Sequence, residues 1–90
     1  LNYEQIEKIF FLSRDDFMSG KLGFDQFSDI CNVLFGIFTK IIKPGSNHKL
    51  FDVLLAGGEL TFYTRSTSEQ GLNQLKYFLE EIHSYKKRRT

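Results

Sequence analysis

Three oxygen-bearing side chains around one glycine, Asp15, Ser19 and Gln26 about Gly20, are the first candidates for chemistry in this chain. Carboxylate, hydroxyl and amide oxygens, spaced along a loop that bends at glycine, are what a hard cation such as calcium takes as ligands. The donor set is thin. Phe17 offers no oxygen between Asp15 and Ser19, and Gln26 brings one neutral oxygen where a glutamate would bring two charged ones. Asp16 and Asp25 fall at places that do not face the metal in such a loop. The stretch predicts a turn with the outline of a calcium loop and no metal, and no cofactor is implied.

Other reactive residue types stand apart. His48 and His83 are separate in sequence, and no Cys–His, Ser–His–Asp or metal-ligand spacing surrounds either. Gly57-Gly58 lacks the Lys-Ser/Thr that follows in a phosphate loop. These observations predict a chain that is not an enzyme. Cys31 sits among apolar residues and reads as a buried, inert thiol. A single cysteine permits no internal disulfide, which points to a reducing, intracellular compartment, the cytoplasm.

The C-terminus offers electrostatics instead. Lys86, Lys87, Arg88 and Arg89 carry +4 of a net charge of +1, so the body before them sums to −3. Residues 86–90 thus form a basic tail on a slightly acidic domain. The tail suits a solvated helix end, an anionic surface or part of a nuclear localisation signal. The positive field of a dedicated DNA binder is missing.

Elements must position these groups. Ninety residues make one small domain, and Leu1 in place of Met reads as a domain excised from a longer protein. Ten phenylalanines can fill a small core. Asn2 is a candidate N-cap, and Ile6, Ile9 and Phe10 predict a helix from Tyr3 to about Ser13. From Phe24 the stripe Phe27, Ile30, Cys31, Leu34, Phe35, Phe38, Ile41 and Ile42 predicts a second helix to about Lys43, ended by Pro44-Gly45. Residues 46–66 admit two readings. One is a short helix stopped at Gly57-Gly58 and followed by a strand. The other is two strands about a Gly-Gly hairpin turn. In both, "ELTFYTR" is extended. Ser66 or Ser68 then caps a long C-terminal helix carrying Leu72, Leu75, Phe78, Leu79 and Ile82.

With Gly20 at the turn and Leu22 and Phe24 after it, the stretch resembles an EF-hand loop whose metal ligands have degenerated. "GKLGF" at 20–24 is echoed by "GELTF" at 58–62, a spacing similar to that of paired EF-hands. The resemblance implies a mainly α (α+β) fold: a helix-loop-helix pair, a short two-stranded β element joining Leu22 and Leu60, and the long C-terminal helix. It implies a non-catalytic, calcium-independent protein-binding or regulatory module, a scaffold domain with a protein or peptide partner. Phe35, Phe38, Ile41 and Ile42 are the candidate partner groove, and with so many aromatics a second copy of the chain is another candidate partner.

Residues 50–82 also look like the end of a pleckstrin-homology domain, which implies lipid or peptide docking, with Lys86 to Arg89 against an anionic membrane. A third likeness, of "SEQGLNQL" to the helix after a winged-helix wing, implies nucleic-acid binding. Arg65 alone on the would-be wing gives that little phosphate affinity.

Overall fold

The computed structural model describes residues 1–43 and 45–86. It contains four helices: α1 (Tyr3–Met18), α2 (Phe24–Ile41), α3 (Lys49–Thr64) and α4 (Glu69–Ser84). Each packs on the next in sequence, in a body of 38 × 30 × 22 Å. Successive helices run in opposite directions. Phe17 meets Phe24 at one end of the α1–α2 pair (5.1 Å between rings), and Phe38 meets His48 at the opposite end of α2 (5.7 Å).

Local sequence sets most of the helix boundaries. Asn2 opens α1 with a capping box: its Oδ1 accepts from the Gln5 amide, and Gln5 Oε1 accepts from the Asn2 amide, both at 2.9 Å. This satisfies donors that a helix start leaves orphaned. Gly20 turns the chain after α1 at φ +86°, a conformation that favours glycine. Gly23 N–H donates to Gln26 Oε1 (2.9 Å) and opens α2. Ser68 caps α4, its Oγ accepting from Gly71 N–H at 3.0 Å.

The expected two-stranded β element is not formed: among the described residues there is no strand. Leu22 lies in the α1–α2 connection, and Leu60 lies buried within α3. Gly57-Gly58, read as a stop or a hairpin turn, sits in the middle of a continuous helix. Packing explains why. A Cβ on Gly57 would stand 2.4 Å from Cys31 Sγ, and one on Gly58 would stand 2.1 Å from Asn32 Oδ1. Gly57 lets α3 approach α2 to a distance that a larger residue forbids, and at Gly58 the neighbour is the exposed Asn32 side chain. Ser28 Oγ donates to the Gly57 carbonyl (3.0 Å) and accepts from the Thr61 amide (3.2 Å). One hydroxyl thus bridges the two backbone groups that would pair with each other in an α-helix. Helical spacing also buries Val53, Leu54, Ala56, Gly57 and Leu60 together, whereas a strand would face half of "ELTFYT" outward. Burial of that face outweighs the strand preference of Thr, Phe and Tyr.

Two boundaries also move. α1 runs on past Ser13 to Met18, taking Asp15, Asp16 and Phe17 into helix, and α2 ends at Ile41. The core is Ile6, Phe10, Phe27, Cys31, Leu34, Phe38, Leu50, Val53, Leu54, Leu60 and Ile82.

α1 and α4 are tied chiefly by Tyr85, just beyond α4. Its ring stacks on Phe11 (5.4 Å, 14°) and meets Phe10 edge-on (5.9 Å). Its hydroxyl donates to buried Glu7 Oε2 and lies 3.5 Å from the Tyr3 hydroxyl. Arg14 Nη1 donates to the Ile82 carbonyl (2.7 Å) and to that of Tyr85, and its guanidinium lies 4.9 Å from the Phe11 ring centre. The cation therefore satisfies carbonyls that the end of α4 leaves free.

Candidate docking surface

Of the would-be calcium ligands, Ser19 and Gln26 engage their side-chain oxygens within the chain. Asp15 is in the last turn of α1, and its carbonyl accepts from Ser19 N–H (3.0 Å). Ser19 Oγ donates to the Asp16 carbonyl at 3.1 Å, and Gln26 Oε1 is taken by Gly23 N–H. Phe17, which fills the place of a missing ligand, stacks on Phe27 at 4.6 Å and 5°. Its role is packing. Among the described residues no group of three or more His, Cys, Asp or Glu could hold a metal.

The residues expected to form a partner groove are not brought together on one surface. Phe38 is fully buried. Phe35 is half-buried against Phe51 (4.9 Å between rings). Ile42 is half-buried, and Ile41 alone is open to solvent, at 43%. Lys86 is exposed, while Lys87, Arg88 and Arg89 lie outside the described residues.

Several titratable groups take part in the packing. His48 lies against the rings of Tyr3 (5.6 Å) and Phe38 (5.7 Å), and His83 is exposed. Cys31 is buried, and that burial pushes its thiol up to about 12. Burial, then the hydrogen bond to Glu7, raises the Tyr85 phenol well above its ordinary value. Burial pulls the Arg14 guanidinium below its usual value, against the pull of Asp15 and Tyr85. On the surface, the hydrogen bond of Lys49 to Glu81 (2.6 Å) raises the amine and lowers the carboxyl.

A concave surface lies where α3 ends and α4 begins. A groove of about 870 Å³ is lined by the aromatic Phe62, Tyr63 and Tyr77 and by the amides Gln70, Asn73 and Gln74. The aromatics form a chain across the two helices: Phe62–Tyr63 at 5.5 Å, Tyr63–Phe78 at 5.6 Å and Phe78–Tyr77 at 6.1 Å. Phe62 is 82% exposed, the most open of the large apolar side chains described. The connection is shaped by its serines: Ser66 Oγ accepts from Ser68 N–H (3.3 Å) and lies 3.0 Å from Ser68 Oγ. Arg65 is the cation lining the groove.

Sequence reasoning missed Phe62 because it took "ELTFYTR" as a strand. Alternate residues of a strand share a face, so Leu60 and Phe62 would both have gone inward. On a helix, residues two apart point to nearly opposite sides. Leu60 is accordingly buried and Phe62 is in solvent. The same two letters therefore mean core or binding surface according to the backbone that carries them. No protein-family model, no curated protein and no solved structure matches this chain.

Proposed function

We propose that this chain is a non-catalytic, calcium-independent helical module that docks an extended segment of a partner protein in the α3–α4 groove. It would serve as a regulatory or scaffold domain. The observation that carries the reading is Phe62, 82% exposed at the rim of a groove that also holds Tyr63 and Tyr77. Exposed aromatics grouped at one concave surface, here Phe62 with the 55%-exposed Tyr77, mark interaction sites, and aromatics dominate the energetics of such sites. The amides of Gln70, Asn73 and Gln74 each offer a donor and an acceptor to a peptide backbone. Arg65 adds a charge-assisted donor for a carbonyl or carboxylate. The buried Cys31 and the ring-packed His48 supply no exposed nucleophile beside a base, which supports a binding role over a catalytic one.

The test begins with peptides selected from a displayed random library against the immobilised domain. Each is titrated into the ¹⁵N-labelled protein. The expected shifts cluster between residues 62 and 77, and Phe62→Ser weakens binding roughly tenfold or more with helicity retained. Peptides that shift other residues, or that ignore Phe62→Ser, would sink the proposal. Millimolar calcium added to the same sample should leave residues 15–26 unmoved, and shifts there would overturn the metal-free part.

A further inference from the structure

The outer face of α2 carries charge in an order that is complementary to itself. Phe27, Ser28, Cys31, Leu34 and Phe38 turn inward. On the opposite side Asp25, Asp29, Val33, Gly36 and Lys40 follow one another at steps of four, four, three and four residues, which sets them in one line along the helix. All five are exposed. Val33, at 62%, is the most open aliphatic side chain described. A Cβ on Gly36 would meet nothing within 4 Å, so no close neighbour within this chain calls for a glycine there. Along one flank Ile30 and Ile37 are half-buried and Ile41 is 43% exposed. Neither Asp29 nor Lys40 enters an ion pair among the described residues.

The midpoint between Val33 and Gly36 is also the midpoint between Asp29 and Lys40. Two copies of α2 laid antiparallel about a two-fold axis at that point bring Asp29 of each opposite Lys40 of the other. They also bring Val33 of each opposite Gly36 of the other, a side chain against a place where the partner backbone is bare. Ile37 of each copy then falls near Ile30 of the other on the shared flank. A parallel pairing in register would set Asp29 on Asp29 and Lys40 on Lys40, which repel. The dipole of α2 favours an acid in its first turn and a base in its last, and it accounts for Asp25 and Lys40. Asp29 lies beyond the first turn, where that effect has faded.

We propose that this face joins two copies of the chain, α2 against α2 antiparallel, with Asp29–Lys40 twice at the ends and Val33 on Gly36 twice at the centre. A second copy is favoured over a different partner because the stripe already holds the charges its own reverse requires. A single helix crossing is a small interface, so the dimer is a reversible one. The stripe shares no residue with the α3–α4 groove, and the assignment stands apart from that reading.

The full chain is followed by sedimentation equilibrium from roughly 10 µM to 1 mM. The mass is expected to rise with concentration from the 10.5 kDa of one chain toward that of two. Asp29→Lys and Lys40→Asp, each alone, set like charges opposite one another at both ends and should weaken association roughly tenfold or more. Mixed together, the two variants regain both ion pairs, so the mixture should dimerise where neither does alone. The double variant Asp29→Lys/Lys40→Asp should dimerise like the parent. A general loss of folding would give neither rescue. Gly36→Leu fills the bare place and should weaken the dimer with helicity unchanged by circular dichroism. A chain that stays single at the top of the range leaves the stripe to a different protein and overturns the proposal. So do a mixture with no more dimer than either variant alone, a Gly36→Leu protein that associates like the parent, or a mass that climbs past two chains.

Discussion

Gly57 and Gly58 are neighbours in one helix, and the structure gives alanine opposite effects at the two. In a helix interior, replacing glycine with alanine gains about 1 kcal/mol of backbone propensity. At Gly57 the new Cβ would stand 2.4 Å from Cys31 Sγ and 3.0 Å from Cys31 Cβ. Cys31 is fully buried and cannot swing away, so the two helices must separate. Overpacking of this kind costs about 1–3 kcal/mol, and a contact this short at an immovable neighbour belongs in the upper half. The net expectation for Gly57→Ala is a loss of about 1–2 kcal/mol. At Gly58 the obstacle is Asn32 Oδ1 at 2.1 Å, the tip of an exposed side chain that can rotate into solvent. What is lost is a long Asn32–Gly58 hydrogen bond of 3.4 Å. Gly58→Ala should therefore be neutral or stabilising by up to about 1 kcal/mol. Urea unfolding followed by circular dichroism reads both, with unchanged slopes confirming that the midpoints report stability. A Gly57→Ala protein as stable as the parent, or equal losses at the two positions, would refute this account of the α2–α3 crossing.

Three further outcomes test the interior. Tyr85→Phe removes the hydroxyl that donates to the buried Glu7 carboxylate, and it should cost about 1–3 kcal/mol in the same urea assay. The pH dependence follows from the raised Tyr85 phenol, whose ordinary value is 10.0. A raised folded-state value means a contribution fully present below about pH 10 and lost as the pH climbs through the folded value. Stability of the parent should fall above about pH 10 more steeply than that of Tyr85→Phe, and parallel curves would remove Tyr85 as the cause. Cys31, pushed to about 12 and buried, should resist a thiol reagent at neutral pH until urea opens the fold. Fast labelling of the native protein would contradict that burial.

Sequence reading succeeded where the signal is local. Asn2 caps α1 as expected, Ser68 rather than Ser66 of the two candidates caps α4, and Gly20 takes the turn assigned to it. The apolar stripe through Phe27, Cys31, Leu34 and Phe38 faces the core as its spacing predicts. The misreading of element type falls in α3, where two local preferences agree with each other and both lose. A glycine pair favours a stop and "ELTFYT" favours a strand, but the partner that reverses both, Ser28 with Cys31 and Asn32, lies on another helix. No window along the chain contains that information. The candidate surface went with the fold. Once Leu60 turned inward on a helix, Phe62 had to turn out, and the groove beside it became visible. Phe38 shows the reverse case, since a residue on a wide apolar stripe gives no sign of whether it ends at the rim or in the centre.

The Tyr85 contact has a kinetic meaning as well. Helix-to-helix packing here proceeds between neighbours in sequence, which needs only short loops to close. The Tyr85–Glu7 hydrogen bond spans 78 residues. The cost of closing that long loop falls once α1 to α4 have stacked, so the tie is expected to form late in folding. Tyr85 then governs the lifetime of the native state more than the speed of reaching it, because interactions absent from the folding barrier act on unfolding. Tyr85→Phe should accordingly speed unfolding more than it slows folding in urea-dependent kinetics, and equal effects on both rates would refute this order.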